Sequence, residues 1–161
     1  MMETLYKTKE MTITRIFNAP VDIVWRAWSK PEIIQKWWGP KNFTAPHYIM
    51  DFRVGGKYLS CMRSPEGVDY WSTGVYKEIE PLKRIVCTDS FSNNEGKIIS
   101  AALYGMNPDF PPEMQINLEF EDLNGKTKMT LVHEGLPESE QQMCSQGWNE
   151  SFDKLDELLN T

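Results

Sequence analysis

Apolar and polar positions change period along the chain in an order that can be read directly. Thr12 to Phe17 alternates, with Ile13 and Arg15 on one face and Thr14 and Ile16 on the other, and Asn18-Ala19-Pro20 stops this first strand. The period then becomes helical. Pro20 and Asp22 suit a first turn, and Val21, Val24, Trp25 and Trp28 fall on the i, i+3, i+4, i+7 stripe of a core-facing helix. Ser29-Lys30-Pro31-Glu32 has capping-box spacing and predicts a short second helix through Ile33, Ile34 and Trp37, closed by Gly39-Pro40. From His47 the period returns to two. Tyr48 to Arg53 and Lys57 to Arg63 read as a hairpin, with Gly55-Gly56 supplying the positive φ angles of its turn.

Val68 to Ile79 and Arg84 to Phe91 predict two longer strands, paired antiparallel across Glu80-Pro81. Residues 92–112 lack periodicity and contain three prolines, so they read as a long surface loop, either a lid or a variable insertion. Met114 to Phe120 and Lys128 to His133 form a second hairpin with one wet face. Ser139-Glu140-Gln141-Gln142 repeats the capping-box pattern. It opens a helix to about Leu159 whose stripe holds Cys144, Trp148, Ser151/Phe152, Leu155 and Leu158/Leu159, with Glu150, Asp153, Lys154 and Glu157 facing solvent.

Composition narrows the class of protein. At 161 residues and 40% hydrophobic content the chain has the size and balance of one globular domain, expected over residues 11–160 after an N-terminal extension of residues 1–10. Net charge is -6 and no Lys/Arg block could track phosphates, so nucleic acid is not an expected partner. No apolar run reaches the length of a membrane span. Three cysteines, Cys61, Cys87 and Cys144, lack C-x-x-C spacing and favour a reducing, cytoplasmic setting over a disulfide framework. Nine Met, seven Phe, six Trp and six Tyr supply many large, adaptable side chains, as a cavity or groove would use.

Six pieces of sequence occur in an order that resembles a known family: Arg15 to Pro20 followed by Val24-Trp25, Trp37-Trp38-Gly39-Pro40, Arg53-Val54-Gly55-Gly56, Gly74 to Ile79, Gly125 to Leu131, and Gly147-Trp148. The family is the one named after the C-terminal domain of the activator of the heat-shock-protein-90 ATPase. The resemblance implies an α+β, START-like helix-grip fold: a curved antiparallel sheet of six or seven strands around a long C-terminal helix, with two short helices after the first strand. It also implies a cavity between sheet and helix. It does not imply one reaction, because relatives in the wider group include lipid carriers, hormone receptors and cyclases. The co-chaperone behind the family name has an additional N-terminal domain outside the matched region, so a chaperone role is not expected.

Chemistry-bearing residues are few. The histidines, His47 and His133, lie far apart without metal-ligand spacing, so no metal is expected, and no phosphate, dinucleotide or nucleophile-elbow motif occurs, so no cofactor is expected. Cys144 reads as a packed thiol. Tyr48, Met50 and Phe52 share a phase with Tyr58, Ser60 and Met62 toward the C-terminal helix, while Gly74 leaves space beside Tyr76. The expected ligand-binding set is Met50, Phe52, Tyr58, Met62, Tyr76, Leu118, Leu131, His133, Trp148 and Phe152, with no catalytic residue. Trp37 and Trp38 are adjacent, so one is expected in the core and the other at the cavity mouth or the surface.

Asp89 is open between an inward carboxylate and an outward residue on a strand whose other face is core. Binding of a hydrophobic or aromatic small molecule, with a homodimer as a compatible assembly, is favoured over two alternatives. One is a cyclase, dehydratase or hydrolase using His133, Asp89 and Tyr76, which would need His133 to approach Asp89 or Tyr76, and no such pair is expected. The other is a stress-related interaction module using the sheet face or the 92–112 loop.

Overall fold

A computed structural model describes residues 8–161. Seven strands form one antiparallel sheet: β1 (Thr8–Phe17), β2 (Thr44–Met50), β3 (Lys57–Arg63), β4 (Asp69–Glu80), β5 (Arg84–Ser92), β6 (Met114–Asp122) and β7 (Thr127–Pro137). Their spatial order is β1-β7-β6-β5-β4-β3-β2, so the first strand crosses the sheet to pair with the last and every other neighbour is a sequential hairpin. Two short helices, α1 (Val21–Ser29) and α2 (Pro31–Ile34), fill that crossing, and α3 (Gln141–Leu159) lies along the concave face. This is the START-like helix-grip fold.

The alternation of β2 and β3 places side chains as expected: Tyr48 and Tyr58 are buried, whereas Ile49 is 67% exposed. Arg15 shares the inward phase of Ile13 and Phe17 and reaches α3, where its Nη2 donates to Asp153 Oδ1 at 2.9 Å. Under α3 the core is aromatic. Phe152 packs on Phe17, Trp28, Trp37 and Trp148 with ring centroids 5.6–6.3 Å apart, within the range where edge and offset contacts add to area burial.

Boundaries moved where local signals competed with pairing. β1 runs back to Thr8, paired with Pro137, and so enters what reads as an N-terminal extension; residues 1–7 of that extension lie outside the described residues. Neither capping box forms. Ser29 is the last residue of α1, so the position before α2 falls to Lys30, whose side chain has no acceptor to cap the first turn. β7 continues to Pro137 and a 3-10 turn spans Glu138–Glu140, which delays α3 until Gln141 and leaves Ser139 outside it. Lys154 is not a solvent-facing lysine. Its Nζ donates to the carbonyls of Trp38, Pro40 and Phe43 at 3.2–3.4 Å, clasping the 38–43 turn onto α3.

Two glycine sites control the middle of the sheet. In the β2–β3 connection only Gly55 has a positive φ, 86°, while Gly56 is required because a Cβ would overlap the Asp51 carbonyl oxygen. Gly74 does not leave a void beside Tyr76. The Tyr58 ring and the Thr88 carbonyl fill the space, and both would collide with a Cβ. Gly74→Ala is therefore expected to cost about 3 kcal/mol, the upper part of the range for overpacking, in urea unfolding.

Candidate functional site

One large cavity opens in the concave face. It has a volume of about 510 Å³ and lies between the first half of α3, the ends of β3 to β7 nearest it, the 38–43 turn and the loop following β5. This falls in the size range of small-molecule sites. Its walls are chiefly aromatic and thioether: Trp38, Phe43, Met62, Tyr70, Phe91, Tyr104, Met106, Phe110, Met114 and Trp148. α3 turns Met143, Cys144, Gly147, Trp148 and Ser151 toward it, one face of two helical turns.

The loop is a structural wall. A 3-10 turn at Ala101–Tyr104 is capped by Ser100, whose hydroxyl accepts from Ala102 N at 3.2 Å. The Tyr104 hydroxyl donates to the Ser92 carbonyl and accepts from Trp71 N at 3.1 Å, which pins the loop to β4 and β5. Phe110 meets Phe91 edge-on at 5.2 Å.

Of the ten residues expected to bind ligand, Met62, His133 and Trp148 line this cavity. Tyr58, Tyr76 and Leu118 border a separate void of about 20 Å³, close to the volume one water needs. Met50 and Phe52 pack against the core, and Leu131 and Phe152 are fully buried in it. The sheet is thus filled by aromatic rings at the Tyr76 end and hollow at the Trp148 end. Alternation assigns a face, but it carries no information about position along the groove. Tyr104, Met106 and Phe110 come from the aperiodic loop, whose aromatic and Met content is their signal in the sequence, while Met114 and Met143 come from β6 and α3. Trp37 is core and Trp38, also buried, lines the cavity; both lie beyond α2, which ends at Ile34 instead of running through Trp37.

The expectation that no titratable pair forms is overturned. Asp89 faces inward and lines the cavity, with its Oδ2 3.8 Å from His133 Nε2. The residues lie on β5 and β7, two strands apart, and face each other across β6, where Asp89 is in register with Met114 and His133 with Ile116. A flat sheet would hold them about 10 Å apart at the backbone. On a concave face side chains converge, and strand phase does not reveal curvature. Asp89 was ambiguous for a related reason: Ile85, Val86, Cys87 and Thr88 are all buried, so β5 has no wet face to define its phase.

A chain of hydrogen bonds fixes the chemical state of this pair. Trp148 Nε1 donates to His133 Nδ1 at 3.1 Å, so that nitrogen carries no proton and the neutral ring holds its hydrogen on Nε2. The single hydroxyl hydrogen of Tyr58 is shared between Asp89 Oδ1 at 2.9 Å and the Thr88 carbonyl at 3.1 Å. Burial pushes the His133 pKa down to about 4 and the Asp89 pKa up to about 6, the latter opposed by the Tyr58 hydrogen bond. At neutral pH the pair is a neutral imidazole beside a carboxylate. At 3.8 Å it makes no hydrogen bond. His133 Nε2 and Trp38 Nε1 are both buried donors without a partner among the described residues, on residues that line the cavity. Cys144 is a poor nucleophile, its thiol pushed up to about 12 chiefly by burial. Among the described residues no group of three His, Cys, Asp or Glu could hold a metal ion.

Fold and cavity place the chain in a class of helix-grip domains, and comparison with known proteins gives the family. Residues 18–160 match the family described as activator of Hsp90 ATPase homolog 1-like protein, and the chain belongs to it. A crystal structure from Chromobacterium violaceum is similar at 26% identity and a TM-score of 0.78, covering 94% of this chain and 97% of that one. A solution structure from Staphylococcus epidermidis matches at 25% identity and 0.77, covering 99% and 94%. The crystal structure of the AHSA1 protein from Silicibacter pomeroyi, at 20% identity and 0.75, covers 94% and 98% and shares the fold. No curated protein matches the chain.

Proposed function

We propose that the protein binds a hydrophobic or aromatic small molecule in the cavity beneath α3. The observation that carries this reading is a hollow of about 510 Å³ walled by aromatic and Met side chains, whose lining also includes Asp89 and two residues with buried donors, Trp38 and His133, unpartnered among the described residues. Apolar walls supply affinity by removing ligand surface from water, and a few polar groups set orientation. A filled interior would have favoured an interaction module; this interior is open. The cysteines are free and no helix among the described residues is long and apolar enough to cross a membrane, which accords with a ligand met in the cytoplasm.

The approach of Asp89 to His133 supports a second reading, an enzyme of general acid–base type. Asp89 titrates near neutrality in a buried site, as such catalysis requires. His133, held neutral with its hydrogen on Nε2 beside Asp89, would act as a donor to developing negative charge. Binding remains the better-supported reading, because the two groups lie close enough to address one ligand atom and leave most of the cavity wall apolar.

The test is titration of N-phenyl-1-naphthylamine, read by its own fluorescence and by quenching of the tryptophans at the cavity. Wild-type protein should saturate at micromolar probe. Cys144→Trp, which projects a ring from α3 into empty space, should weaken binding at least tenfold while leaving the melting temperature within about 3 °C, since the ring fills a hollow rather than an occupied core. Absence of saturable binding by wild-type protein would overturn the reading.

A further inference from the structure

The polar corner of the cavity has an unusual vacancy of hydrogen bonding. His133 is 4% exposed, yet its Nε2–H, committed as a donor by the Trp148 bond to Nδ1, has no partner among the described residues. A buried unsatisfied donor destabilises a fold and is uncommon in native proteins. Beside it, Asp89 Oδ1 accepts from Tyr58, and Oδ2 has no donor among the described residues. The gap between Nε2 and Oδ2 is 3.8 Å. An oxygen atom placed about 2.8 Å from each would close both hydrogen bonds at once, with normal lengths. Such an atom must accept from one side and donate to the other.

Resting on the binding reading above, we propose that His133 Nε2–H and Asp89 Oδ2 form a two-point receptor for a single hydroxyl group, so that the ligand is an apolar ring compound bearing a phenol or an alcohol. The donor and acceptor requirements exclude other oxygen groups by chemistry. A ketone or ether accepts from His133 but has no hydrogen for Asp89. A carboxylate would set its charge against that of Asp89 in a site with little water to screen it. Trp148, which fixes the imidazole tautomer, also forms cavity wall, so the group that orients the receptor is in contact with the body of the ligand. Met143, Met114 and Met106 on the surrounding walls are unbranched and can repack around rings of differing outline. The polar corner therefore selects and the apolar walls accommodate.

The experiment compares 2-naphthol, naphthalene, 2-methoxynaphthalene and 2-naphthoate at pH 7.5, each by displacement of N-phenyl-1-naphthylamine from wild-type protein. 2-Naphthol should bind at least tenfold tighter than naphthalene or the methyl ether, and 2-naphthoate weakest. In Asp89→Leu the ratio of naphthol to methyl ether affinity should fall below threefold. Because the first comparison uses only wild-type protein, it stands even if the variant fails to fold. Protein that binds the fluorescent probe but treats naphthol and its methyl ether alike overturns the hydroxyl receptor and leaves the binding reading intact. Retention of the full hydroxyl preference by folded Asp89→Leu also overturns it. Protein that binds neither the probe nor any naphthalene overturns both.

Discussion

Asp89→Asn is expected to be more stable than the wild-type protein at pH 7.5, by about 2 kcal/mol or roughly 4–8 °C in melting temperature, and no more stable at pH 4. The reason is linkage. Burial raises the folded pKa of Asp89 from the ordinary carboxylate value to about 6. Between pH 4 and 6 the folded state keeps a proton that the unfolded state has lost, so this residue's contribution falls as pH rises through that window. His133 works in the opposite direction. With its folded pKa near 4, the unfolded imidazole binds a proton below about 6.5 that the folded one refuses, so its contribution grows as pH rises over nearly the same range.

In wild-type protein the two slopes largely cancel. Around the pair, Tyr58 on β3, Tyr48 on β2, Cys87 on β5 and Cys144 on α3 all have ionisations pushed upward and stay neutral throughout. Removing the carboxylate exposes the histidine slope alone. Urea unfolding at pH 4 and 7.5 checks this: stability of Asp89→Asn relative to wild type should rise with pH. A difference independent of pH would show that the Asp89 carboxylate is not the source. The sign is informative about function as well, since a residue whose charged form destabilises the fold is the kind a binding site retains.

Phe152→Ala should cost 3–5 kcal/mol, the usual range for a large aromatic removed from a close-packed core, whereas Met143→Ala should cost under about 1 kcal/mol. Both side chains are large, apolar and on α3, but only Phe152 falls on the apolar stripe of that helix. Phe152 is fully buried among Phe17, Trp28, Trp37 and Trp148. Met143 is 48% exposed at the cavity. Truncating Phe152 opens a void that its neighbours can only partly close, while truncating Met143 widens a hollow that already exists. Thermal and urea melts of the two variants give the stability ranking. Ligand titration should invert it, with Met143→Ala losing more of the probe affinity than its stability loss suggests.

The same contrast shows which parts of the site were legible. Met62, His133 and Trp148 were recognisable as inward residues because their strands and helix keep one periodic face, and periodicity is a local property of the backbone. Leu131 and Phe152 have that phase too and are core, because phase names a face of the groove but not the level along it. Tyr104, Met106 and Phe110 come from a loop without periodicity, held in place by the contacts of Tyr104 with β4 and β5. Gly74 was read as open space, whereas close packing of Tyr58 against the Thr88 carbonyl takes it up.

The chain by itself determined the order of strands and helices, the hairpin phases, the aromatic stripe of α3 and the family, since each rests on residues near one another in sequence or on motifs in fixed order. Only the tertiary structure decided that Asp89 and His133 meet. They are 44 positions apart on strands separated by β6. Their meeting depends on how sharply the sheet curves around α3, and that curvature is the sum of twist and packing over all seven strands, with no single residue to announce it.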